Sequence, residues 1–287
     1  MLTYFVNKDN RTYCLYLSQM NNSIGILVFI ALVIGIVVLV LSSKKKKMLL
    51  QKKLEKKFPD EWKTMLEKEV VFYKQLNDAD RNLFEKRIQL FIASKNIEGI
   101  ETGIDDNIRL MVASSAVIPT FAFPKYNYPY VQTVLIYPNS FDEKFQTKRF
   151  AGHKEFISGM VDGRNQNGTV ILSKPDLIRA FDGLAHKENV GIHEFVHLLD
   201  KEDGAIDGIP EVLIKHQFVG PWLHEIKNEI KRIEKGKSDI NPYALKNNAE
   251  FLAVVSEYFF CNPEKFEHKH LELYHFLSAI FNRNKKK

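Results

Sequence analysis

Cysteine is scarce in this chain of 287 residues, which carries only two. Cys14 and Cys261 stand near opposite ends of the sequence, and the membrane segment predicted below places them on opposite sides of a bilayer. We therefore expect no internal disulfide, as is usual for a domain in a reducing cytoplasm. The chain also lacks internal repeats, and runs of lysine are its only low-complexity tracts.

A basic surface is also missing, although the formal net charge is +6 at pH 7. The four lysines at 44–47 and the three at 285–287 account for seven positive charges, so the remainder is close to neutral. Nucleic-acid-binding domains spread their basic residues over a folded face or along a helix. The charge distribution therefore excludes nucleic acid as a partner.

Residues 24–41 form a continuous apolar run without a charge or a proline. At about 1.5 Å per residue the run spans about 27 Å, which is enough to cross the hydrocarbon core of a bilayer. A long, nearly neutral segment precedes it and lysines 44–47 follow it, whereas a signal peptide has a short basic start and a small-residue cleavage site. We therefore expect a retained transmembrane helix over residues 24–42, whose lysine flank attracts anionic lipid headgroups.

The lysines also predict the orientation of the chain, because positive charge favours the cytoplasmic side of a membrane. Residues 1–23 are then a short extracytoplasmic segment, and residues 43–59 are a basic juxtamembrane stalk. Residues 60–287 are predicted to form a folded domain in the cytoplasm. The sequence thus predicts a single-pass membrane protein with its N-terminus outside.

The residues that indicate chemistry are concentrated in Gly-Ile-His-Glu-Phe-Val-His-Leu-Leu-Asp at 191–200. This segment contains His-Glu-x-x-His, and positions i and i+4 of a helix lie one above the other on one face. His193 and His197 are therefore predicted to bind one metal ion, with Glu194 beside the ion as a base. Two histidine ligands, an open position for water and a nearby carboxylate are the parts of a zinc peptidase.

The residues alone leave the third ligand open among three carboxylates. Asp203 stands at the metzincin spacing, but Asp200 replaces the glycine of that pattern and no methionine follows the motif. Glu250 and Glu257 lie seven residues apart in the apolar segment 247–260, where carboxylates require a metal or hydrogen-bonded partners. Asp200 is placed either to accept a hydrogen bond from a ligating histidine or to end the helix in solvent.

Two blocks, residues 191–200 and 243–260, resemble the Mlc titration factor A (MtfA) family of zinc peptidases. The catalytic core of that family is similar to that of the anthrax lethal factor protease. Weaker similarity at 134–138 and 168–172 extends the resemblance over roughly residues 60–282. The chain departs from the best-known members at its N-terminus, since those members look soluble.

The resemblance implies a gluzincin-like ligand set, in which His193, His197 and Glu250 bind Zn²⁺ and Glu194 is the base. It also implies that Tyr243 is catalytic, because the family and the lethal factor share a tyrosine seven residues before the ligand glutamate. A phenol at that place can donate to the oxyanion that forms during hydrolysis. Glu257 is then expected to support the site from behind the ligands.

The pattern predicts an α+β fold, a mostly helical zincin-like metallopeptidase domain with a small sheet after the membrane helix. By resemblance, the strand at 169–173 is expected at the sheet edge beside the active helix, where it would pair with an extended peptide substrate. The aromatic segment 120–130 is expected to pack between helix and sheet. Helices are expected near 60–76, 79–95, 105–118, 176–183, 189–200, 211–235, 247–260 and 264–282, with strands at 131–137 and 169–173. Histidines 268, 270 and 275 are expected on a mixed surface.

Three functions fit these observations. The first is a membrane-anchored zinc peptidase that hydrolyses cytoplasmic peptides or proteins with a zinc-activated water. The second is a regulatory binding protein that sequesters a transcriptional regulator and has only secondary peptidase activity. The third, a structural membrane protein with a decayed site, is disfavoured because His-Glu-x-x-His, Tyr243 and Glu250 are all present.

Overall fold

The computed structural model describes residues 31–45, 47–140, 159–161, 168–182, 187–210, 213–214 and 216–281. The chain divides into two compact units, Met1–Lys56 and Lys57–Lys287. The predicted segment 1–23 and the first part of the predicted membrane helix lie outside the described residues.

Helix α1 makes up most of the described part of the N-terminal unit and covers residues 31–45 and 47–54. The apolar side chains at 31–41 are exposed, and Leu32 and Leu39 keep 61% and 67% of their surface accessible. Within the described ranges, no helix combines the length and apolar character that a membrane crossing requires. The transmembrane helix over residues 24–42 therefore stays a prediction.

The second unit is an α+β domain with more helix than strand, as the sequence predicts. Its helices are α2 (Asp60–Glu69), α3 (Val71–Lys74), α4 (Asp78–Ser94), α5 (Asp106–Val117), α6 (Lys174–Ala180), α7 (Val190–Asp200), α8 (Val219–Glu234), α9 (Asn248–Cys261), α10 (Pro263–Lys269) and α11 (Leu271–Ile280). The helix predicted over 211–235 begins only at Val219. Pro221 explains this start, because proline is tolerated in the first turn of a helix and breaks its interior.

Four strands form one sheet in the order β1-β2-β4-β3. They are β1 (Asn96–Gly99), β2 (Thr133–Tyr137), β3 (Gly159–Val161) and β4 (Thr169–Ser173), and only β3 runs antiparallel to its neighbour. The prediction of strand 169–173 is confirmed, but its expected place at the sheet edge is wrong. Val170, Ile171 and Leu172 are all buried, as in a central strand covered on both faces, and β3 lies at the edge beyond them.

The final helix is interrupted at His270, whose backbone leaves the helical region at φ −136° and ψ 54°. The expectation of a surface position is wrong for this histidine, because it is only 4% exposed. Its Nε2 lies 2.8 Å from Oδ1 of Asp239. The break between α10 and α11 therefore coincides with a buried histidine held by a carboxylate from another segment.

Part of the aromatic segment 120–130 packs against the core, as the sequence predicts, whereas Tyr130 at its end is 73% exposed. Tyr128 is 2% exposed, and its ring centroid lies 4.9 Å from that of Phe195 in α7. Lys95 fixes the backbone of this segment by donating to the carbonyls of Tyr128 and Val131 at 2.6 and 2.8 Å. The segment thus supports the helix that carries the His-Glu-x-x-His motif.

Asp239 joins several elements around the site, because its carboxylate accepts hydrogen bonds from four side chains. The donors are Lys187, just before α7, Tyr258 of α9, Lys269 of α10 and His270 between α10 and α11. Partial burial alone would raise the pKa of Asp239, but these four hydrogen bonds hold it well below its usual range.

We expect Asp239→Asn to lower the free energy of unfolding at pH 7 by about 2–3 kcal/mol, because hydrogen bonds to a charged group are lost. The folded-state pKa is depressed, so this stabilisation exists above the unfolded pKa and disappears as the pH falls. The difference in unfolding free energy between the parent and the variant should therefore decrease below about pH 4. Urea unfolding followed by tryptophan fluorescence measures the unfolding free energies of the parent and the variant at each pH. Glu267→Gln on the exposed face of α10 is the control. A difference in unfolding free energy that stays constant with pH would contradict a stabilising role for the charge of Asp239.

Candidate metal centre

Helix α7 presents both histidines of the motif on one face. The side chain of Asn189 caps its start by accepting from the Ile192 N–H at 3.0 Å. Gly191 lets the helix approach α5 closely, since a Cβ there would lie 2.1 Å from Oγ of Ser115. The rings of His193 and His197 stand 4.8 Å apart, as the i, i+4 spacing predicts.

Helix α9 brings Glu250 to the same place. A short 3₁₀ turn at Pro242–Leu245 precedes it, and the side chain of Asn247 caps its start by accepting from the Glu250 N–H at 2.8 Å. The cap places Glu250 in the first turn of α9, which packs against α7. The backbone geometry thus directs this carboxylate towards the two imidazoles.

Three atoms that can bind a metal converge between the two helices. Nε2 of His193 lies 2.9 Å from Oε2 of Glu250 and 3.1 Å from Nε2 of His197. Nε2 of His197 lies 3.3 Å from the same Glu250 oxygen. A tetrahedral zinc ion with bonds of about 2.0–2.1 Å holds its ligand atoms about 3.3–3.4 Å apart. The three separations therefore differ from those around such an ion by about half an ångström or less.

Glu257 lies behind the ligand face and contacts the opposite side of the His193 ring. Its Oε1 is 2.6 Å from Nδ1 of His193, and its other oxygen accepts from the backbone N–H of Asn189. An ionised carboxylate only accepts hydrogen bonds, so this contact places the imidazole proton on Nδ1. This arrangement leaves Nε2 of His193 as the ring nitrogen that would bind a metal ion held between His193 and Glu250.

Asp203, the third carboxylate that the sequence leaves open, lies away from the cluster. It is exposed in the 3₁₀ turn Lys201–Asp203, where its Oδ1 accepts from the Ala205 N–H at 3.1 Å. The geometric cluster of possible metal ligands contains His193, His197 and Glu250. Among the three candidates, the structure thus brings only Glu250 together with both histidines.

Glu194 is buried next to the cluster, with 5% of its surface exposed. Burial raises the pKa of its carboxyl, and the nearby His193 and His197 oppose that shift. A carboxylate with a raised pKa accepts a proton more readily near neutral pH than an ordinary glutamate does. The environment of Glu194 therefore suits a general base.

Tyr243 stands at the open side of the site and is 48% exposed. Its hydroxyl lies 3.4 Å from Oε1 of Glu250, the carboxylate oxygen that faces away from the histidines. Nζ of Lys246 lies 3.1 Å from the same hydroxyl. Lys246 is absent from the predicted site, although it lies three residues after Tyr243 and four before Glu250, the helical spacing for adjacent side chains.

Asp200 is fully buried, which rules out its predicted place in solvent. Its Oδ2 accepts from the Gly208 N–H at 2.8 Å, and burial raises its pKa to about 6. The predicted hydrogen bond to a ligating imidazole is not formed. In the part of the chain that the structure describes, neither Oδ1 of Asp200 nor Nδ1 of His197 has a hydrogen-bond partner.

Gly208 connects the end of α7 to the start of α9. Its φ of +80° lies in the left-handed region, and a Cβ would lie 2.3 Å from the carbonyl oxygen of Asn248. Its own carbonyl accepts from Nε1 of Trp222 in α8 at 2.8 Å. This glycine thus donates to the last residue of α7 and packs closely against the first residue of α9, the two helices that carry the three possible ligands.

Comparison with known proteins agrees with this geometry. A protein of Synechocystis sp. named Uncharacterized protein slr2042 is 27% identical over 262 residues, which cover 88% of this chain and 95% of that protein. Mlc titration factor A of Escherichia fergusonii is 33% identical over 53% of this chain and 59% of its own length. The same factor of Salmonella agona is 34% identical over 46% and 52%. The chain thus matches little more than half the length of these titration factors.

The model of the family described as glucose-regulated metallo-peptidase M90 matches residues 42–282, which is most of the chain. This match contains both sequence blocks on which the resemblance depends and all three converging side chains. The predicted family is therefore confirmed, and the chain belongs to the M90 metallopeptidases, the family of Mlc titration factor A.

Proposed function

We propose that this chain is a zinc-dependent peptidase that hydrolyses peptide bonds of cytoplasmic peptides or proteins. The proposal is carried by the convergence of Nε2 of His193, Nε2 of His197 and Oε2 of Glu250. Two imidazoles and one carboxylate are a ligand set of catalytic zinc sites, which keep a further position open for water. The separations of these atoms suit the bond lengths of zinc.

In the proposed mechanism, different residues of the chain have different roles in hydrolysis. When bound, the ion supplies Lewis acidity: it lowers the pKa of a bound water and polarises the scissile carbonyl. Glu194 takes the proton of the attacking water and delivers it to the leaving amine. Tyr243 donates its hydroxyl proton in a hydrogen bond to the developing oxyanion. Glu257 holds the ring of His193 in the orientation that its role as a ligand needs.

Metal removal tests this proposal directly. We expect the purified full-length chain to hydrolyse members of a peptide library, because all the parts of the mechanism are present in it. Dialysis against a chelator should abolish hydrolysis, and addition of zinc should restore it. A chain that retains zinc and cleaves no member of the library would contradict the peptidase function.

The name of the two titration factors supports a second role. Mlc titration factor A is, by that name, a factor that titrates Mlc. We propose as an alternative that this chain sequesters a transcriptional regulator, with its peptidase activity secondary. Glu194→Gln separates the two functions, because it removes the base and keeps the shape of the surface: regulator binding that persists without hydrolysis would favour sequestration.

We further propose that the chain is a single-pass membrane protein, with its N-terminus outside and its catalytic domain in the cytoplasm. The uncharged run at 24–41 and the lysines at 44–47 support this. The exposed leucines of α1 support it too, since a row of apolar side chains is normally covered by lipid or protein. Membrane lipid is thus the proposed partner of this segment.

Alkaline carbonate extraction tests the anchor. The chain should remain in the membrane pellet, because carbonate strips peripheral proteins but leaves a spanning helix in the bilayer. A variant that lacks residues 1–43 is the control and should appear in the supernatant. Release of the full-length chain into the supernatant would rule out a spanning helix, and digestion of residues 60–287 by protease added to intact cells would reverse the proposed orientation.

A further inference from the structure

Lys246 makes contacts at the metal centre that the proposed mechanism does not use. Its ammonium lies 3.1 Å from the hydroxyl of Tyr243 and 3.4 Å from Oε1 of Glu250. It also lies 5.1 Å from the centroid of the Tyr243 ring, close enough for a cation–π contact. One cation thus contacts both the phenol assigned to the oxyanion and the carboxylate assigned to the metal.

The two oxygens of Glu250 divide these contacts between them. Oε2 faces Nε2 of both histidines, whereas Oε1 faces Tyr243 and Lys246. Lys246 has donors only, so its contact with the Tyr243 hydroxyl uses a lone pair of that oxygen. The phenolic hydrogen remains available to donate, either to Glu250 or to an oxyanion.

The surroundings of Tyr243 cover only about half of its side chain. The residue is 48% exposed and belongs to a short 3₁₀ turn, so burial alone does not fix its ring. The side chain of Glu250 is well covered, with 13% exposed, and the lysine spans the distance from this fixed carboxylate to the phenol. Lys246, whose own side chain is 53% exposed, therefore links the exposed phenol to the covered carboxylate.

We propose that Lys246 is a positioning residue of the hydrolytic reaction, which holds the hydroxyl of Tyr243 beside Glu250 and thereby in reach of the oxyanion. This inference rests on the proposed peptidase function. Lys246 then affects turnover only by positioning the hydroxyl of Tyr243.

A double-mutant cycle measures this coupling. We expect Lys246→Met to lower kcat on a cleaved library peptide about tenfold, with KM changed less than twofold and zinc content unchanged. In the Tyr243→Phe background the same change should alter kcat less than twofold, because the hydroxyl to be positioned is absent. Lys246→Arg should recover part of the loss, and Lys265→Met on the exposed face of α10 is the control.

Fluorine NMR gives a readout that does not need activity. In chain labelled with 3-fluorotyrosine, the resonance of Tyr243 is the one that Tyr243→Phe removes from the eleven tyrosines. Lys246→Met should shift and broaden it, and Lys265→Met should leave it in place. An unmoved resonance, or kcat losses that multiply in the double variant, would overturn the proposal. A zinc-loaded parent without hydrolysis would instead refute the peptidase function, while the fluorine spectrum would still report on Lys246.

Discussion

Glu194→Gln should lower peptide hydrolysis by about two to four powers of ten, the usual contribution of a general base. Glutamine preserves the size of the side chain but cannot accept the proton of the attacking water. The buried position of Glu194 beside both histidines is the structural reason for this expectation. Initial rates on one library peptide, measured at equal zinc content, determine the loss.

The zinc content of this variant separates a lost base from a lost site. Because Glu194 is not in the ligand cluster, the variant should keep about one zinc ion per chain, as a catalytic zinc site requires. Glu264→Gln, on the exposed face of α10, makes the same chemical change far from the motif in sequence and should hydrolyse at the parental rate. Equal activity of Glu194→Gln and the parent would show that the motif is not catalytic.

The second large effect is expected for Glu250→Ala, which should lose its metal under mild chelation. Oε2 of this residue lies 2.9 and 3.3 Å from the Nε2 atoms of the two histidines, so truncation removes one of three ligand atoms. Loss of an outer partner of a metal ligand costs about 10–100-fold in affinity or activity, and loss of a ligand should cost more. Bound zinc measured against chelator concentration gives the affinity.

Two variants serve as comparisons in the same titration. Glu257→Ala removes the partner of His193 Nδ1 and should weaken zinc binding less than Glu250→Ala does. Asp203→Ala changes an exposed turn and should retain zinc as firmly as the parent. If Asp203→Ala emptied the site while Glu250→Ala did not, a metzincin-like ligand set would replace the one described above.

Much of the metal centre could be predicted because helical periodicity alone brings His193 and His197 together. The third ligand could not be derived from spacing, since Glu250 and Glu257 lie on nearly one face of the same helix. Their different roles depend on the docking of α9, which places Glu250 at Nε2 and Glu257 at Nδ1 of one histidine ring. The resemblance to a family supplied the assignment that the residues left open.

The features that sequence reasoning missed depend on contacts between distant segments. The mixed residues around His270 in the sequence predict a surface position, yet Asp239 from another segment holds this histidine in the core. Strand β4 is recognisable from its β-branched residues, but its neighbours in the sheet are set by how the strands pair. The buried Asp200 likewise has its partner in Gly208, beyond the end of its own helix.

The central claim is that His193, His197 and Glu250 hold a zinc ion, and X-ray absorption at the zinc edge of the purified full-length chain tests it most directly. The expected spectrum shows two imidazole nitrogens at about 2.0–2.1 Å and carboxylate or water oxygens at about 2.0–2.2 Å. The imidazole signal should fall in His193→Ala, while it stays unchanged in Glu257→Gln. Zinc bound by sulfur at about 2.3 Å, or a purified chain that takes up no zinc, would contradict the claim.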